Sequence, residues 1–246
     1  MFAVCMGLCS CQQTEDNLFD GTPSQRMDKE MARVKKLITK PSNGWLMEYY
    51  PSSTQAYGGF NVLVKFTDAG KVTFASETAG ADVTATSDYE FTQSSGWVLT
   101  IDTFNNVIYA FSTPAESNGG GLGYGYSGDF EFIVMSASED EIVLKGRKTG
   151  SKARLIPLTP AIKWNEYLSA IKDESSFVAN YYRLQYHLNG QKYEARMNGR
   201  HMVVYQLGAD GEWQAAQNTP FIVTMTGVKF YEPLTMDNVS IEIGRA

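Results

Sequence analysis

From Trp45 to Pro157 apolar residues tend to recur at every second position, and turn-forming residues interrupt the pattern at intervals of roughly ten residues. A period of two belongs to strands, because successive side chains leave a pleated chain on opposite faces. Val62, Val64 and Phe66, and again Phe130, Phe132 and Val134, set apolar side chains between neighbours that are often polar, as a sheet buried on one face requires. The spacing predicts strands over Trp45 to Tyr50, Gly59 to Thr67, Lys71 to Glu77, Tyr89 to Thr92, Val98 to Thr103, Val107 to Ser112, Asp129 to Ser136, Glu141 to Lys148 and Lys152 to Pro157. The links Asp68-Ala69-Gly70 and Phe104-Asn105-Asn106 are short enough for hairpins, and the long crossovers that parallel strands need are missing. An antiparallel meander is expected, folded as a sandwich or an open-barrel-like sheet.

A helix precedes this region. Thr22-Pro23-Ser24-Gln25 forms a capping box with proline at the first helical position, and Met27, Met31, Val34 and Ile38 recur at helical spacing up to about Thr39. A second Thr-Pro, Thr159-Pro160, is expected to open another helix with Trp164, Tyr167, Leu168 and Ile171 on one face. Strands resume over Arg183 to Leu188, Gln191 to Met197, His201 to Leu207, Phe221 to Met225 and Val239 to Ile243, with Asn189-Gly190, Asn198-Gly199 and Asp210-Gly211 as hairpin turns. The fold class is thus mainly β with two helices (α+β), each half introduced by an amphipathic helix. Two units are expected, residues 22–158 and 159–246, and the shorter second unit suggests that more strands follow in the full-length protein.

The N-terminal segment bears on location. Leu8-Cys9-Ser10-Cys11 closes a short apolar run and an acidic, polar stretch follows, the pattern at which a bacterial leader is cut and a lipid attached to the cysteine. Residues 1–10 read as the signal segment, Cys11 as the lipidation site and residues 11–21 as a flexible tether. Phe2 directly follows Met1, so the basic start of a leader is missing and the segment is expected to be incomplete. Without a leader the same run would be an N-terminal strand or core helix with incidental cysteines. Cys5, Cys9 and Cys11 are the only cysteines, so the predicted mature body after Cys11 holds no thiol for a disulfide or a catalytic nucleophile. The net charge is -6 and no basic cluster interleaves with aromatics, which argues against a nucleic-acid partner.

Ser42-Asn43-Gly44-Trp45 with Tyr49-Tyr50-Pro51, then Tyr57-Gly58-Gly59-Phe60, the run Val98 to Thr103, Gly128-Asp129-Phe130-Glu131-Phe132 and the run Leu144 to Gly150 together resemble the Bacteroidetes lipoproteins grouped as domain-of-unknown-function family 4302. The resemblance implies an outer-membrane lipoprotein, often encoded beside nutrient-uptake machinery built on a TonB-dependent channel and its surface-binding partners. It brings no catalytic residue and no cofactor. The acidic residues after Cys11 also resemble the signal that sends such lipoproteins to the outer face.

Chemistry is sparse in the rest of the chain. The two histidines, His187 and His201, fall on strands expected to be neighbours, and scattered surface histidines are a simpler reading than a metal site, which would need a carboxylate such as Glu194. No cofactor is expected: the run Gly123 to Gly128 matches GxGxxG, but it precedes a strand where a dinucleotide site needs a helix. The turn Ser138-Glu139-Asp140-Glu141 lacks the spacing of a calcium loop. Carboxylate pairs for glycoside hydrolysis could be drawn from Glu48, Glu77, Asp102, Asp129 and Glu131, a choice that spacing alone does not narrow. Tryptophans 45, 97, 164 and 213 read as core or helix-docking residues. The link from Pro114 to Gly128 presents Tyr124 and Tyr126, and the segment from Tyr49 through Gly58 adds Tyr50 and Tyr57; such rings offer flat, rigid contact area with a polar tip, or else pack over the sheet ends. Three functions follow as expectations: a noncatalytic binding lipoprotein for a glycan or other nutrient, a partner-docking accessory of transporter components, and a hydrolase with an unrecognised site.

Overall fold

A computed structural model of the chain describes residues 22–94, 96–114, 125–180, 183–236, 239–241 and 243–244. Cys11 and Tyr124 lie outside the described residues. The expected meander is present, and it closes on itself. Strands β1 (Trp45–Tyr50), β2 (Phe60–Phe66), β3 (Lys71–Ser76), β4 (Thr84–Ser94), β5 (Gly96–Ile101), β6 (Glu131–Ala137), β7 (Ile142–Gly146) and β8 (Lys152–Pro157) form an up-and-down barrel. Closure comes from β1 lying antiparallel to β8, with Trp45 opposite Pro157 and Tyr49 opposite Ala153. A closed sheet leaves no unpaired edge. Eight strands enclose a space that side chains alone can fill, and Trp45, Tyr49, Phe74, Phe111 and Phe132, all fully buried, fill it here.

Because strand direction alternates, the β1–β2, β3–β4, β5–β6 and β7–β8 links share one end of the barrel, and the β2–β3, β4–β5 and β6–β7 turns share the other. Helix α1 (Pro23–Thr39) closes the second end. Thr22 and Gln25 make the reciprocal capping bonds at 2.9 and 3.3 Å. Arg33 Nη2 donates to the carbonyl of Ala137 at 3.0 Å, Trp45 Nε1 donates to that of Ile38 at 2.7 Å, and Ile38 itself joins the barrel core. Met27, at the helix start, lies 3.5 Å from the Gln93 amide on β4.

The first end is closed by the chain's own β5–β6 link, and here the structure departs from the expected elements. Val107 to Ser112 is not a strand and Phe104-Asn105-Asn106 is not a hairpin. Asn105 Oδ1 accepts from the amides of Val107 and Ile108, at 3.1 and 3.3 Å, while its Nδ2 donates to Ala85 O and Ser87 Oγ. That side-chain bonding winds the backbone into a turn, which continues as a single 3-10 turn at Tyr109–Phe111. Val107, Ile108 and Phe111 are driven into the barrel mouth, fully buried. An apolar run reads alike as a strand or a buried plug.

Beyond β8 the second helix, α2 (Trp164–Ala179), starts later than Thr159-Pro160 would place it, with Lys163 as its N-cap. Thr159 instead accepts from the amide of Ile162 in a turn. Strands β9 (Arg183–Leu188), β10 (Gln191–Asn198), β11 (His201–Leu207), β12 (Trp213–Thr224) and β13 (Gly227–Phe230) follow in order, and β14 (Leu234–Met236), β15 (Val239–Ile241) and β16 (Ile243–Gly244) complete the described elements. β16 pairs with β13 to make six strands in the second sheet, and β14 with β15 forms a separate ribbon. The Asn189-Gly190 turn has φ of 49° and 80°, the left-handed pair that a two-residue hairpin demands.

This sheet and α2 pack on the outside of the barrel. Leu63 and Ala75, on the outer faces of β2 and β3, are fully buried among Leu168, Ile171, Met202, Val204 and Phe221. β2 is therefore covered on both faces, with Lys65 its one exposed residue.

Candidate functional site

Polar groups line the seam between barrel and second sheet, and Asn61, Glu48 and Glu77 among them are paired across it. Asn61, facing outward from β2, donates to the Val223 carbonyl at 2.9 Å and accepts from the Tyr167 hydroxyl at 2.9 Å. Burial raises the Tyr167 pKa, so its hydroxyl keeps the proton it donates. Glu48 of β1 takes Lys229 Nζ of β13 at 2.6 Å. Glu77 accepts from the Asn61 amide at 2.6 Å and receives Arg200 through both carboxylate oxygens, at 3.1 and 2.7 Å.

At the plugged end of the barrel the β1–β2 link reaches the β10–β11 turn. Two adjacent glycines make that approach possible. A Cβ on Gly58, whose φ is +70°, would lie 2.3 Å from Arg200 Cβ, and one on Gly59 would lie 2.7 Å from the ring of Tyr50. With no side chain in the way, the Gly59 amide donates to Phe221 O at 2.9 Å and Arg200 Nη1 donates to Gly59 O at 2.5 Å. His201 adds a further link, with Nε2 3.0 Å from Gln55 O and Nδ1 3.1 Å from Asn218 Oδ1.

The link and the turn enclose a cleft of about 690 Å³, within the range of roughly 300 to 1,000 Å³ typical of small-molecule sites. The barrel contributes Tyr57, Phe60, Thr78 and Tyr126; the second sheet contributes Asn198, Arg200, His201, Val203 and Asn218. The aromatic wall is braced by ring contacts: Tyr126 stands edge to face 5.4 Å from Tyr57 and 5.0 Å from Phe60, and tilted 5.7 Å from Phe111, between ring centres. Arg200 lies over the Phe60 ring, 4.5 Å from its centre. Thr78 and Tyr126 also line a smaller cavity of about 240 Å³ over the plug, with Val83 and Phe111.

Of the tyrosines singled out in the sequence, Tyr57 and Tyr126 are brought together here. Tyr50 is not a cleft residue: it is 3 % exposed, its ring 4.7 Å from that of Tyr231. Burial, and then the charge of nearby Glu48, raises its pKa. Tyr49 is fully buried and binds the backbone of Asp129. Sequence reasoning missed Asn198, Arg200 and Asn218, and read His201 as a surface histidine. Their role depends on two hairpins about 140 residues apart in the chain, with Arg200 bonded to Gly59 at a separation of 141, and no local pattern carries that.

The other candidates resolve into structural roles. His187 and His201 are not on neighbouring strands, since β10 separates β9 from β11; His187 lies beside Lys192 and His201 beside Asn198, near opposite ends of β10. Among the described residues no three histidine, cysteine or acidic side chains gather as a metal site would require. Glu194 is fully covered, holding Arg183, Gln185 and Arg196. Those bonds, that of Arg183 foremost, pull its pKa down from 4.5 to about 2. Of the nominated acids, Glu48 and Glu77 belong to the seam and Glu131 pairs with Arg147. Asp129 is buried and spends its oxygens on the amides of Lys148 and Thr149 and on the hydroxyls of Thr149 and Ser151. At the acidic turn Glu139 pairs with Lys40 and Glu141 with Arg154. The described part of the GxGxxG match leads through Gly128 into β6, with no helix.

Barrel, flanking sheet and shared cleft define a β-rich protein with an aromatic-walled surface cleft. A family model described as Domain of unknown function (DUF4302) matches residues 15–243, and the chain belongs to that family. No curated protein and no solved structure matches it.

Proposed function

We propose that the protein is a noncatalytic binding or accessory component of an outer-membrane, TonB-dependent nutrient-uptake system, held at the cell surface by a lipid on Cys11. The cleft carries the reading: rings and amides from both sheets line one concavity of about 690 Å³, and aromatic concave surfaces with a few polar groups are where small ligands are held. The acids nominated for hydrolysis that lie in the seam and the barrel are taken up by internal pairing, which favours binding over turnover. No helix among the described residues is long and apolar enough to cross a membrane.

A thermal-shift screen of the full chain against glycans, haem, peptides and divalent metals, with product analysis of each hit, tests the reading. A saturable shift without turnover, lost in Tyr57→Ala and Tyr126→Ala, is expected. Turnover would replace binding with an enzyme, and an absence of any shift would move the protein to partner docking, to be sought by pull-down. The anchor has its own test: mass spectrometry of the native N-terminus should find the lipid, and Cys11→Ala should release the protein from membranes.

A further inference from the structure

The geometry points to an uncharged, hydroxyl-rich ligand in this cleft, a neutral oligosaccharide; this deepens the binding reading and rests on it. The first argument is charge. Among the described residues, Arg200 and His201 are the lining residues able to carry positive charge, and both are committed within the protein. The guanidinium gives Nη1 and Nη2 to Glu77 and Nη1 also to Gly59 O, and both ring nitrogens of His201 have partners. An anionic ligand would find no free cation to replace its lost hydration, and burying an unpaired charge is strongly unfavourable. Among the described residues no aspartate or glutamate lines the cleft to receive a cationic ligand.

The second argument is shape and edge. A sugar ring has apolar C–H faces that lie against aromatic rings and a rim of hydroxyls that need amide or hydroxyl partners; Tyr57 and Tyr126 meet the first need, Asn198 and Asn218 the second. A peptide held by its backbone would need an open strand edge. Strands β10 and β11 on the second-sheet side and β2 on the barrel side offer none, being paired on both sides; the Trp213–Pro220 stretch of β12 is paired by β11 on one side, and the peptide probe below tests its other edge.

The test is calorimetric titration of the full chain with hexasaccharides of α-glucan, β-glucan, xylan and mannan, set against a galacturonate hexamer, a heparin hexasaccharide and an uncharged hexapeptide. Saturable binding of at least one neutral hexasaccharide is expected, with affinity changing less than about twofold between about 50 mM and about 500 mM salt, because no ion pair is screened. Asn198→Ala, at an exposed turn position, should weaken it several-fold, and Tyr57→Ala by about tenfold or more, as central aromatic contacts do. Circular dichroism on each variant separates lost binding from lost fold. Binding of the galacturonate or heparin oligomer that falls steeply with salt, or of the peptide, overturns the neutral-sugar inference; if the same variants abolish it, the cleft stands as a binding site. Binding that ignores every cleft variant, or heat from none of the probes, overturns both.

Discussion

The barrel and the second sheet solve the same problem, covering an apolar face, in opposite ways. The barrel curls around its own core, pairs every strand on two sides and closes both ends with its own chain, α1 at one and the Val107–Phe111 turn at the other. The second sheet has two outer strands, β9 and β16, and its apolar face is completed by α2 and the outer wall of β2 and β3. One is self-sufficient in packing, while the other depends on its neighbour. The cleft lies where the dependent part leans on the independent one.

That contrast can be broken most directly from inside the barrel. Phe132→Ala removes a ring from the centre of a filled interior, and a loss of about 3 to 5 kcal/mol is expected from denaturant unfolding; a small loss would mean that the barrel tolerates voids and is not the independent part. Asn61→Ala cuts the seam. It leaves the buried Tyr167 hydroxyl and the Val223 carbonyl without partners, for a loss of about 1 to 3 kcal/mol. Hydrogen exchange should then rise in β12 and β13 before it rises in β5 to β7, and equal exchange in both would erase the distinction.

A smaller effect belongs to the second sheet alone. Glu194 has its pKa held near 2 in the folded state against an ordinary 4.5, so its charged form is favoured by folding. The stability it contributes is complete above 4.5 and is lost as the pH falls toward 2. Thermal melts between about pH 5 and about pH 2 should therefore slope less in Glu194→Gln than in wild type, and parallel slopes would show that the cluster does not couple to stability. Smallest of all, Phe104→Ser should change stability by no more than about 0.5 kcal/mol, because this ring at the plugged end is 72 % exposed.

The same contrast explains what could be read beforehand. Barrel strands such as β1, β2 and β8 follow from period-two alternation and turn residues, which are local. In β2 the alternation of Phe60, Val62, Val64 and Phe66 is joined by an apolar Leu63 on the opposite face, an available sign that the strand is covered on both faces. The plug was not legible, because whether Val107 and Ile108 extend or turn is decided by Asn105 finding Ala85 and Ser87 on the adjacent strand β4, about twenty residues earlier in the chain. Closure was not legible either, since it is a pairing of the first strand with the eighth. Of the cleft, the sequence offered Tyr57 and Tyr126 on two aromatic segments that could share one rim; only the seam brings Arg200 and Asn218 to them.

The two closures of the barrel give the molecule a direction. Helix α1 crosses one pole, and the cleft opens at the other. Ten residues, 12–21, separate Cys11 from Thr22, a span of at most about 40 Å when fully extended. If the chain were held by its start, the barrel would serve as a pedestal, keeping the tyrosines raised toward the medium and leaving the helix to face whatever holds it.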